Sequence, residues 1–440
     1  MQRKIFHQLA TWKARKNRKP LIVQGARQVG KTWLMNAFGE QQFEQKAYFN
    51  FETQAELSVL FQHNLRPNEL LKGLSVFCGF AIEPTRCLII FDEIQACPEA
   101  LTALKYFQEE LPDSYVLAAG SLLGVAMHKG ASFPVGKVEF LKLYPLDFHE
   151  FLSACKQDAL VQLLETGSVD LLRAFEPTLL HYLREYFFTG GMPEVVKHYV
   201  VGAHPNELRK IQVEILNAYE NDFSKHAPVA QVPRLRLIWN SLVSQLAKEN
   251  SKFIYNILRS GARAKDFELA IEWLKDAGLV HKVNRVTKSG MPLSAYASQS
   301  DFKLFFLDTG LLAAMAKITK ESLVAGSDKL TEFKGVLAEQ FVLQQLVANE
   351  VQPFYWHPEN AQAEVDFVVQ TADDCIPIEV KSGNSLHAKS LYVYQQKYAP
   401  TKCLRASMGF YRQNDWLHDI PLYGIISELK KWMNPTGHSS

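Results

Sequence analysis

The residues with the clearest chemical meaning lie near the start of the chain, in a glycine-containing turn. The turn fits the spacing G-x-x-x-x-G-K-[S/T] and directly follows the apolar residues 21–23. Its residues are Gly25, Ala26, Arg27, Gln28, Val29, Gly30, Lys31 and Thr32. Because a triphosphate is a dense anion, the turn must point backbone N–H groups inward, which glycines permit. The pattern therefore predicts that all eight residues bind ATP.

Two side chains of this turn are suited to bind phosphate and a metal ion. Lys31 can reach the outer phosphates as a point charge, and the helix that should begin near Gly30 adds its positive end. The Thr32 hydroxyl suits a Mg²⁺ ion that also contacts phosphate oxygens and water. The turn thus predicts ATP and Mg²⁺ as ligands and Lys31 as a catalytic residue.

A second apolar run, residues 87–91, ends in two carboxylates. In a parallel sheet, Asp92 would lie at the carboxyl edge beside the metal, and Glu93 beside the attacking water as a catalytic base. Residues 47–51 and 115–121 predict further strands, and the polar end of the latter, Ser121, could sense the γ-phosphate as a third catalytic residue. A helix cap or turn is an equal alternative for Ser121. Together these elements predict an α/β P-loop core.

Composition limits the class of protein. At 440 residues the chain is long enough for two to three domains, and 48 basic against 46 acidic residues give no overall nucleic-acid signature. Six cysteines without a C-x-x-C pair favour a reducing compartment. The first residues lack the apolar core of a signal peptide, and no apolar stretch approaches a membrane span. We therefore expect a cytoplasmic protein without a membrane partner.

The middle of the chain has the pattern of a winged helix. Apolar residues at helical spacing begin near residue 233, a second amphipathic helix spans residues 267–277, and a strand and a hairpin at residues 288–290 would form the wing. Six basic residues suit DNA phosphates: Arg259, Arg263, Lys265, Lys282, Arg285 and Lys288. The alternatives are a solvated surface or a surface that binds proteins.

A second group of charged residues lies in the last part of the chain. Period-two alternation places Glu379 and Lys381 on one face of a strand, and Asp366 lies in the strand before it. With Glu339 from a preceding helix, the set resembles the D…(E)xK nuclease core, in which carboxylates hold Mg²⁺ and a lysine activates water. Gln395 resembles the trailing glutamine of some such nucleases. An exposed salt bridge, or a clamp that binds without cutting, is the alternative.

The motifs in combination resemble the prokaryotic AAA-type ATPases of the archaeal-ATPase group. The matching stretches are residues 18–32, 91–95, 119–121, 143–151, 189–194 and 308–312. The resemblance implies an AAA-type ATPase core with a helical lid (1–225), a winged-helix domain (226–325) and a restriction-endonuclease-like α/β domain (326–440). Where the pattern expects Gly-Arg, the chain has Gly136-Lys137, so a trans-acting finger is not assigned.

Two functions follow from these features. The first is an ATP-hydrolysing protein that acts on DNA as a motor, or as a nucleotide-gated binder or nuclease. The alternative is a regulatory ATP-dependent switch that binds partner proteins without cleaving nucleic acid. DNA is the expected partner, and a homo-oligomer is possible by analogy with AAA-type proteins.

Overall fold

The computed structural model divides the chain into two compact units. It describes residues 3–120, 134, 136–248, 252–324, 331–359, 363–383 and 388–433. The smaller unit contains Met1–Tyr144 and Asp276–Gly278, and the larger contains Pro145–Lys275 and Leu279–Ser440. The predicted boundaries at residues 225 and 325 stay predictions.

The smaller unit is a parallel sheet with flanking helices. Its helices are α1 (Phe6–Ala14), α2 (Lys31–Gln42), α3 (Glu56–His63), α4 (Pro67–Cys78) and α5 (Pro98–Glu110). Its strands are β1 (Leu21–Gln24), β2 (Gln45–Asn50), β3 (Cys87–Asp92), β4 (Tyr115–Gly120) and β5 (Glu139–Lys142). They lie in the order β2-β3-β4-β1-β5, and every pairing is parallel. The predicted α/β class is confirmed for this unit.

Burial explains why these segments are strands. Every residue of β3 is buried, as expected of a parallel strand that is covered on both faces. Phe91 holds the end of β3 in an aromatic cluster, with ring centroids 6.0 Å from Phe49, 5.7 Å from Phe61 and 6.0 Å from Phe107. Because Asp92 directly follows Phe91, this packing fixes the position of the carboxylate at the sheet edge.

The larger unit combines many helices with one mixed sheet. Its helices are α6 (Phe148–Ala154), α7 (Asp158–Thr166), α8 (Val169–Ala174), α9 (Glu176–Thr189), α10 (Pro193–Val200), α11 (Pro205–His226), α12 (Val232–Leu246), α13 (Tyr255–Leu258), α14 (Ala264–Asp276), α15 (Thr309–Met315), α16 (Lys320–Val324), α17 (Thr331–Ala348), α18 (Lys389–Tyr398) and α19 (Ile425–Met433). Its strands are β6 (Val280–Val286), β7 (Ala297–Phe306), β8 (Pro353–Trp356), β9 (Val365–Gln370), β10 (Cys375–Val380), β11 (Cys403–Ser407), β12 (Arg412–Gln413) and β13 (Leu417–Pro421).

The sheet of the larger unit joins the two segments that the sequence predicts as separate domains. Its strand order is β12-β13-β11-β10-β9-β8-β6-β7. Strands β6 and β7 form an antiparallel pair after α14, at the place of the predicted wing, and β6 pairs in parallel with β8. The hairpin is therefore continuous with the sheet that carries Asp366 and Glu379.

Two glycine-containing segments meet at one buried carboxylate in the larger unit. Asp308 accepts hydrogen bonds from the backbone N–H groups of Gly191 at 2.7 Å and Leu311 at 2.9 Å, and from Gln344 Nε2 at 2.9 Å. A Cβ atom at Gly310 would lie 2.5 Å from the backbone N of Gly190. Both segments belong to the stretches that carry the family resemblance, and the structure gives them a common role in joining α9 to α15.

No helix in the described part of the chain is both long and apolar enough to cross a membrane.

Candidate functional site

The phosphate-binding turn links β1 to α2 in a conformation that its glycines make possible. Gly30 caps α2 with φ 95°, in the left-handed region that glycine adopts at low cost. Gly25 packs so closely against the residue that follows β5 that a Cβ atom there would lie 2.3 Å from the carbonyl oxygen of Leu143. Arg3 Nη1 donates to the carbonyl oxygen of Val29 at 3.2 Å. The turn is thus held by its own glycines and by two neighbouring segments.

Lys31 lies inside this turn. Its Nζ donates to the carbonyl oxygens of Gly25 at 3.0 Å and Ala26 at 2.9 Å, and the residue is only 8% exposed. Burial lowers the pKa of Lys31 to about 8, although the carboxylates of Glu93 and Asp92 act to raise it. Because burial disfavours the charged form of Lys31, an anion that binds beside it would stabilise its ammonium group.

Asp92 and Thr32 lie in direct contact at the sheet edge. The Thr32 hydroxyl donates to Asp92 Oδ2 at 2.7 Å, and Asp92 is 1% exposed. Tyr48, on the neighbouring strand β2, donates its hydroxyl to the same oxygen at 2.8 Å. Burial raises the pKa of Tyr48 to about 12, so the phenol remains a hydrogen-bond donor at neutral pH. Two hydroxyl donors thus fix the orientation of the carboxylate.

Glu93 has a backbone conformation that is uncommon outside glycine. Its φ is 51°, in the left-handed region, and its backbone N–H donates to Asp92 Oδ1 at 3.0 Å. Its side-chain Oε2 accepts a hydrogen bond from Gln95 Nε2. Its carboxylate is close enough to Lys31 to act on the pKa of that residue. The strained backbone places the candidate base near the lysine.

The structure therefore brings together most of the residues that the sequence predicts for ATP. Lys31, Thr32, Asp92 and Glu93 surround one sheet edge, whereas Ser121 lies outside the described residues. Lys137, at the position considered for a finger, pairs with Glu109 at 3.1 Å. Sequence reasoning missed Tyr48. The available signal was that Tyr48 and Asn50 share one face of β2, beside the strand that ends in Asp92.

A second group of charged side chains lies in the larger unit, and we name it the acidic cluster. It consists of Glu339, Glu364, Asp366 and Glu379 with two lysines, Lys303 and Lys381. Glu379 pairs with Lys381 at 2.6 Å, as the strand alternation predicts. Asp366 Oδ2 accepts from the backbone N–H of Val380 at 2.7 Å and so joins β9 to β10. The cluster unites four of the five residues predicted for a nuclease-like site.

Lys303 and Glu364 belong to the cluster although sequence reasoning did not single them out. Lys303 is 1% exposed, and its Nζ lies 2.6 Å from Glu364 and 3.8 Å from Glu339. Burial acts to lower the pKa of Lys303, but the surrounding carboxylates, Glu339 first, outweigh it and raise the pKa. No local pattern marks this lysine, since it lies in a strand of the hairpin distant in sequence.

Two carboxyl groups of the cluster, those of Glu339 and Glu379, resist ionisation. Burial, reinforced by neighbouring carboxylates, raises the pKa of Glu339 to about 8 and that of Glu379 to about 7. Among the described residues, no group of three or more His, Cys, Asp or Glu side chains is arranged to hold a metal ion. As arranged here, with a lysine ammonium between two of its glutamates, the cluster does not fit Mg²⁺.

The remaining predicted residues are Gln395 and the six basic residues expected to contact DNA. The side-chain oxygen of Gln395, on α18, accepts a hydrogen bond from Gln396, and no hydrogen bond among the described residues joins the Gln395 side chain to the acidic cluster. Of the predicted DNA contacts, four are exposed and two are partly covered by ion pairs: Lys282 pairs with Glu272 at 3.4 Å, and Arg285 with Asp301 at 3.0 Å. The exposed four are Arg259, Arg263, Lys265 and Lys288.

Three family models match successive parts of the chain. Residues 17–152 match the family described as AAA domain. Residues 180–322 and 334–425 match two families described as domains of unknown function, DUF8612 and DUF4143. No curated protein matches the chain.

The chain has limited similarity to several solved structures, among them a Walker-type ATPase and two proteins solved with DNA. A Walker-type ATPase of Pyrococcus abyssi is 14% identical, with 71% of this chain and 94% of that chain covered and a TM-score of 0.44. The ORC1 protein of Aeropyrum pernix in complex with DNA is 12% identical, with 73% and 92% covered and a TM-score of 0.27. The replication initiator DnaA bound to AMPPCP and single-stranded DNA is 13% identical, with 79% and 92% covered and a TM-score of 0.29.

TM-scores below 0.5 do not establish a shared fold, so the family match and the geometry of the turn carry the assignment. Residues 17–152 therefore have the features of an AAA ATPase domain.

Proposed function

We propose that the protein hydrolyses ATP at the turn that contains Lys31 and uses the cycle to act on DNA through its larger unit. The observation that carries the first part is the contact of Thr32 with Asp92 at 2.7 Å, directly beside the buried Lys31. A hydroxyl and a carboxylate that touch at a sheet edge next to a buried cation match the needs of a metal-bound triphosphate.

The donor set fits a magnesium ion that arrives with the nucleotide. Thr32 and Asp92 would hold it, because Mg²⁺ takes oxygen ligands and usually keeps several from phosphate and water. When bound, the ion would neutralise charge on the phosphates. Tyr48 keeps the Asp92 carboxylate in position, and Lys31 would exchange its two carbonyl partners for phosphate oxygens. Glu93 would orient and polarise the attacking water.

The DNA part of the proposal is supported by exposed positive charge in the larger unit. Arg263 and Lys265 lie at the start of α14, and Lys288 lies in the connection between β6 and β7. Cationic side chains at the start of a helix and in a hairpin suit contacts to a phosphate backbone. Lys282 is less suited to this role, since Glu272 already compensates its charge.

The acidic cluster argues against cleavage in the arrangement described. Cleavage by a nuclease of the D…(E)xK type needs carboxylates that are free to hold a metal ion. Here Lys303 compensates Glu364 and Glu339, and the raised pKa values of Glu339 and Glu379 favour neutral carboxyl groups. This observation also favours the second candidate function, a regulatory ATP-dependent switch that does not cut nucleic acid.

The test is ATP turnover of the full chain with duplex, single-stranded and branched DNA, with strand integrity followed in the same samples. The proposal expects DNA to stimulate turnover and expects the double variant Arg263→Gln/Lys265→Gln to lose the stimulation but not the basal rate. Lys210→Gln, at another exposed lysine of the larger unit, is the matched control. Turnover that none of the DNA forms changes would refute the action on DNA and leave the switch as the better account.

A further inference from the structure

A cavity of about 250 Å³ lies in the larger unit, beside the acidic cluster. The residues that line it include Lys248, Lys252, Arg285, Tyr355, His357 and Glu364. Most of these are cationic or can donate hydrogen bonds. Its volume is below the roughly 300–1,000 Å³ of pockets for drug-sized ligands, so it suits one small group and not a segment of duplex.

Two buried donors of the cavity lack an acceptor. Tyr355 is 1% exposed, and its hydroxyl has no hydrogen-bond partner among the described residues. The buried Nε of Arg285 likewise has no partner in the part of the chain that the structure describes. Buried polar groups nearly always have a hydrogen-bond partner, because leaving one without a partner in the protein interior is costly. Two such donors in one cavity indicate a ligand that supplies acceptors.

The charges around the cavity favour an anion. Asp301 pairs with Lys252 at 2.5 Å and with Arg285 at 3.0 Å, so one carboxylate orients two cations without neutralising both. The carboxylate on the cavity wall, Glu364, is itself compensated by Lys303 at 2.6 Å. Positive charge therefore remains in excess at a site where hydrogen-bond donors converge.

We infer that this cavity binds the phosphate group of a nucleotide unit, with Tyr355 and Arg285 as the donors that recognise its oxygens. Arginine suits phosphate because its planar fork matches the spacing of two oxygens, and the tyrosine hydroxyl adds a neutral donor. The proposed action on DNA makes a nucleic-acid strand the expected source of the phosphate. The inference thus rests on the proposed action on DNA, but it does not depend on ATP hydrolysis.

The test is binding of a labelled short single-stranded DNA with a 5′ phosphate to the full chain carrying Lys31→Ala, which removes the nucleotide turn from the measurement. Tyr355→Phe and Arg285→Gln should each weaken binding about tenfold, as expected for the loss of a hydrogen bond to a charged group. Lys210→Gln should bind like the parent protein. Thermal unfolding of each variant checks the fold, and Tyr355→Phe preserves the shape of the side chain.

Competition with deoxyadenosine monophosphate and inorganic phosphate identifies the source. If the mononucleotide displaces the labelled DNA as efficiently as unlabelled DNA does, the phosphate comes from a free nucleotide. If only DNA displaces it, the phosphate comes from a strand. Both results support a phosphate site. Parent-like affinity in both Tyr355→Phe and Arg285→Gln, or no binding of any of the three probes, overturns the inference. Phosphate binding at this cavity without DNA-stimulated ATP turnover would refute the proposed function and leave the cavity assignment intact.

Discussion

At the scale of single residues, the burial of Lys31 has a measurable consequence for nucleotide affinity. Its pKa is about 8 before the nucleotide binds, and the phosphates would raise it because they favour the charged form. Above about pH 8, binding must therefore take up a proton, and affinity should fall about tenfold per pH unit. Equilibrium binding of a fluorescent ATP analogue between about pH 7 and pH 9.5 measures this.

The control for that prediction is Lys31→Ala, which should bind weakly and show no such pH dependence. A wild-type profile that stays flat over the same range would contradict the assignment of Lys31 as the buried cation that meets the phosphates.

The acidic cluster predicts that the stability of the folded chain also falls as the pH rises. Glu339 and Glu379 have pKa values of about 8 and 7, above their ordinary value of 4.5, so the folded chain holds protons that the unfolded chain has released. Their stabilising contribution is complete below about pH 4.5 and is lost as the pH rises through 7 to 8. We expect Glu339→Gln, which mimics the neutral carboxyl group, to raise the free energy of unfolding at pH 8 by on the order of 1–2 kcal/mol.

Denaturant unfolding of Glu339→Gln and wild type at about pH 5 and pH 8 checks this. The difference between the two proteins should nearly vanish at the lower pH. A variant that is less stable than wild type at both pH values would contradict the account and would indicate that Glu339 is needed as an anion partner of Lys303.

Individual residues show which parts of the two sites could be predicted from the sequence. Lys31, Thr32, Asp92 and Glu93 could be predicted because a local pattern of strand, turn and helix defines their positions. Tyr48 could not, since its role comes from the register of β2 against β3. Lys303 could not either, because only the three-dimensional arrangement brings it between Glu339 and Glu364.

At the scale of elements, the parallel sheet explains why distant motifs form one site. Strand β4 lies between β1 and β3, and all pairs are parallel, so the turn after β1 and the carboxylates after β3 emerge at the same edge. Apolar runs bounded by turns predict strands β1, β3 and β4 well. The order in which they pair comes from packing and could not be deduced from these runs alone.

The junction of α9 with α15 offers a test of an element contact. Gly310→Ala would place a Cβ atom 2.5 Å from backbone atoms of residues 189 and 190, which cannot move away easily. We expect it to destabilise the larger unit by about 1–3 kcal/mol, as overpacking typically does. Gly335→Ala, inside α17 with no atom within 4 Å of the new Cβ, should instead stabilise by about 0.5–1 kcal/mol.

Chemical denaturation of both glycine variants measures whether each substitution lowers or raises the free energy of unfolding. Equal stability of Gly310→Ala and wild type would show that the segments around Asp308 are not packed as described.

At the scale of the whole molecule, two compact units predict two separable responses to ligand. ATP with Mg²⁺ should stabilise the smaller unit by RT ln(1 + [L]/Kd), about 2.7 kcal/mol at a hundredfold excess over Kd. Calorimetry should show one transition that rises with ATP and one that does not. A Lys31→Ala protein should lose the shift, and a shift that persists in this variant would place ATP binding elsewhere.

The family match and the sequence pattern agree on the smaller unit, whereas the strand pairing of the larger unit could not be predicted from the sequence. The sequence predicts the winged-helix and nuclease-like segments as two domains, and this division stays a prediction; β6 pairs with β8, so that one sheet runs through both segments. A boundary placed from local patterns could not reveal this pairing, because the two strands are separated by the helices α15 to α17.

The most direct test of the central claim is ATP hydrolysis by wild type, Glu93→Gln and Lys31→Ala, with nucleotide binding measured on the same samples. The account predicts that Glu93→Gln still binds ATP but hydrolyses it at least about a hundredfold more slowly, since a positioned general base contributes about 10²–10⁴-fold. Lys31→Ala should lose most of its binding. Hydrolysis by Glu93→Gln at the wild-type rate, or ATP binding that does not need Lys31, would contradict the account.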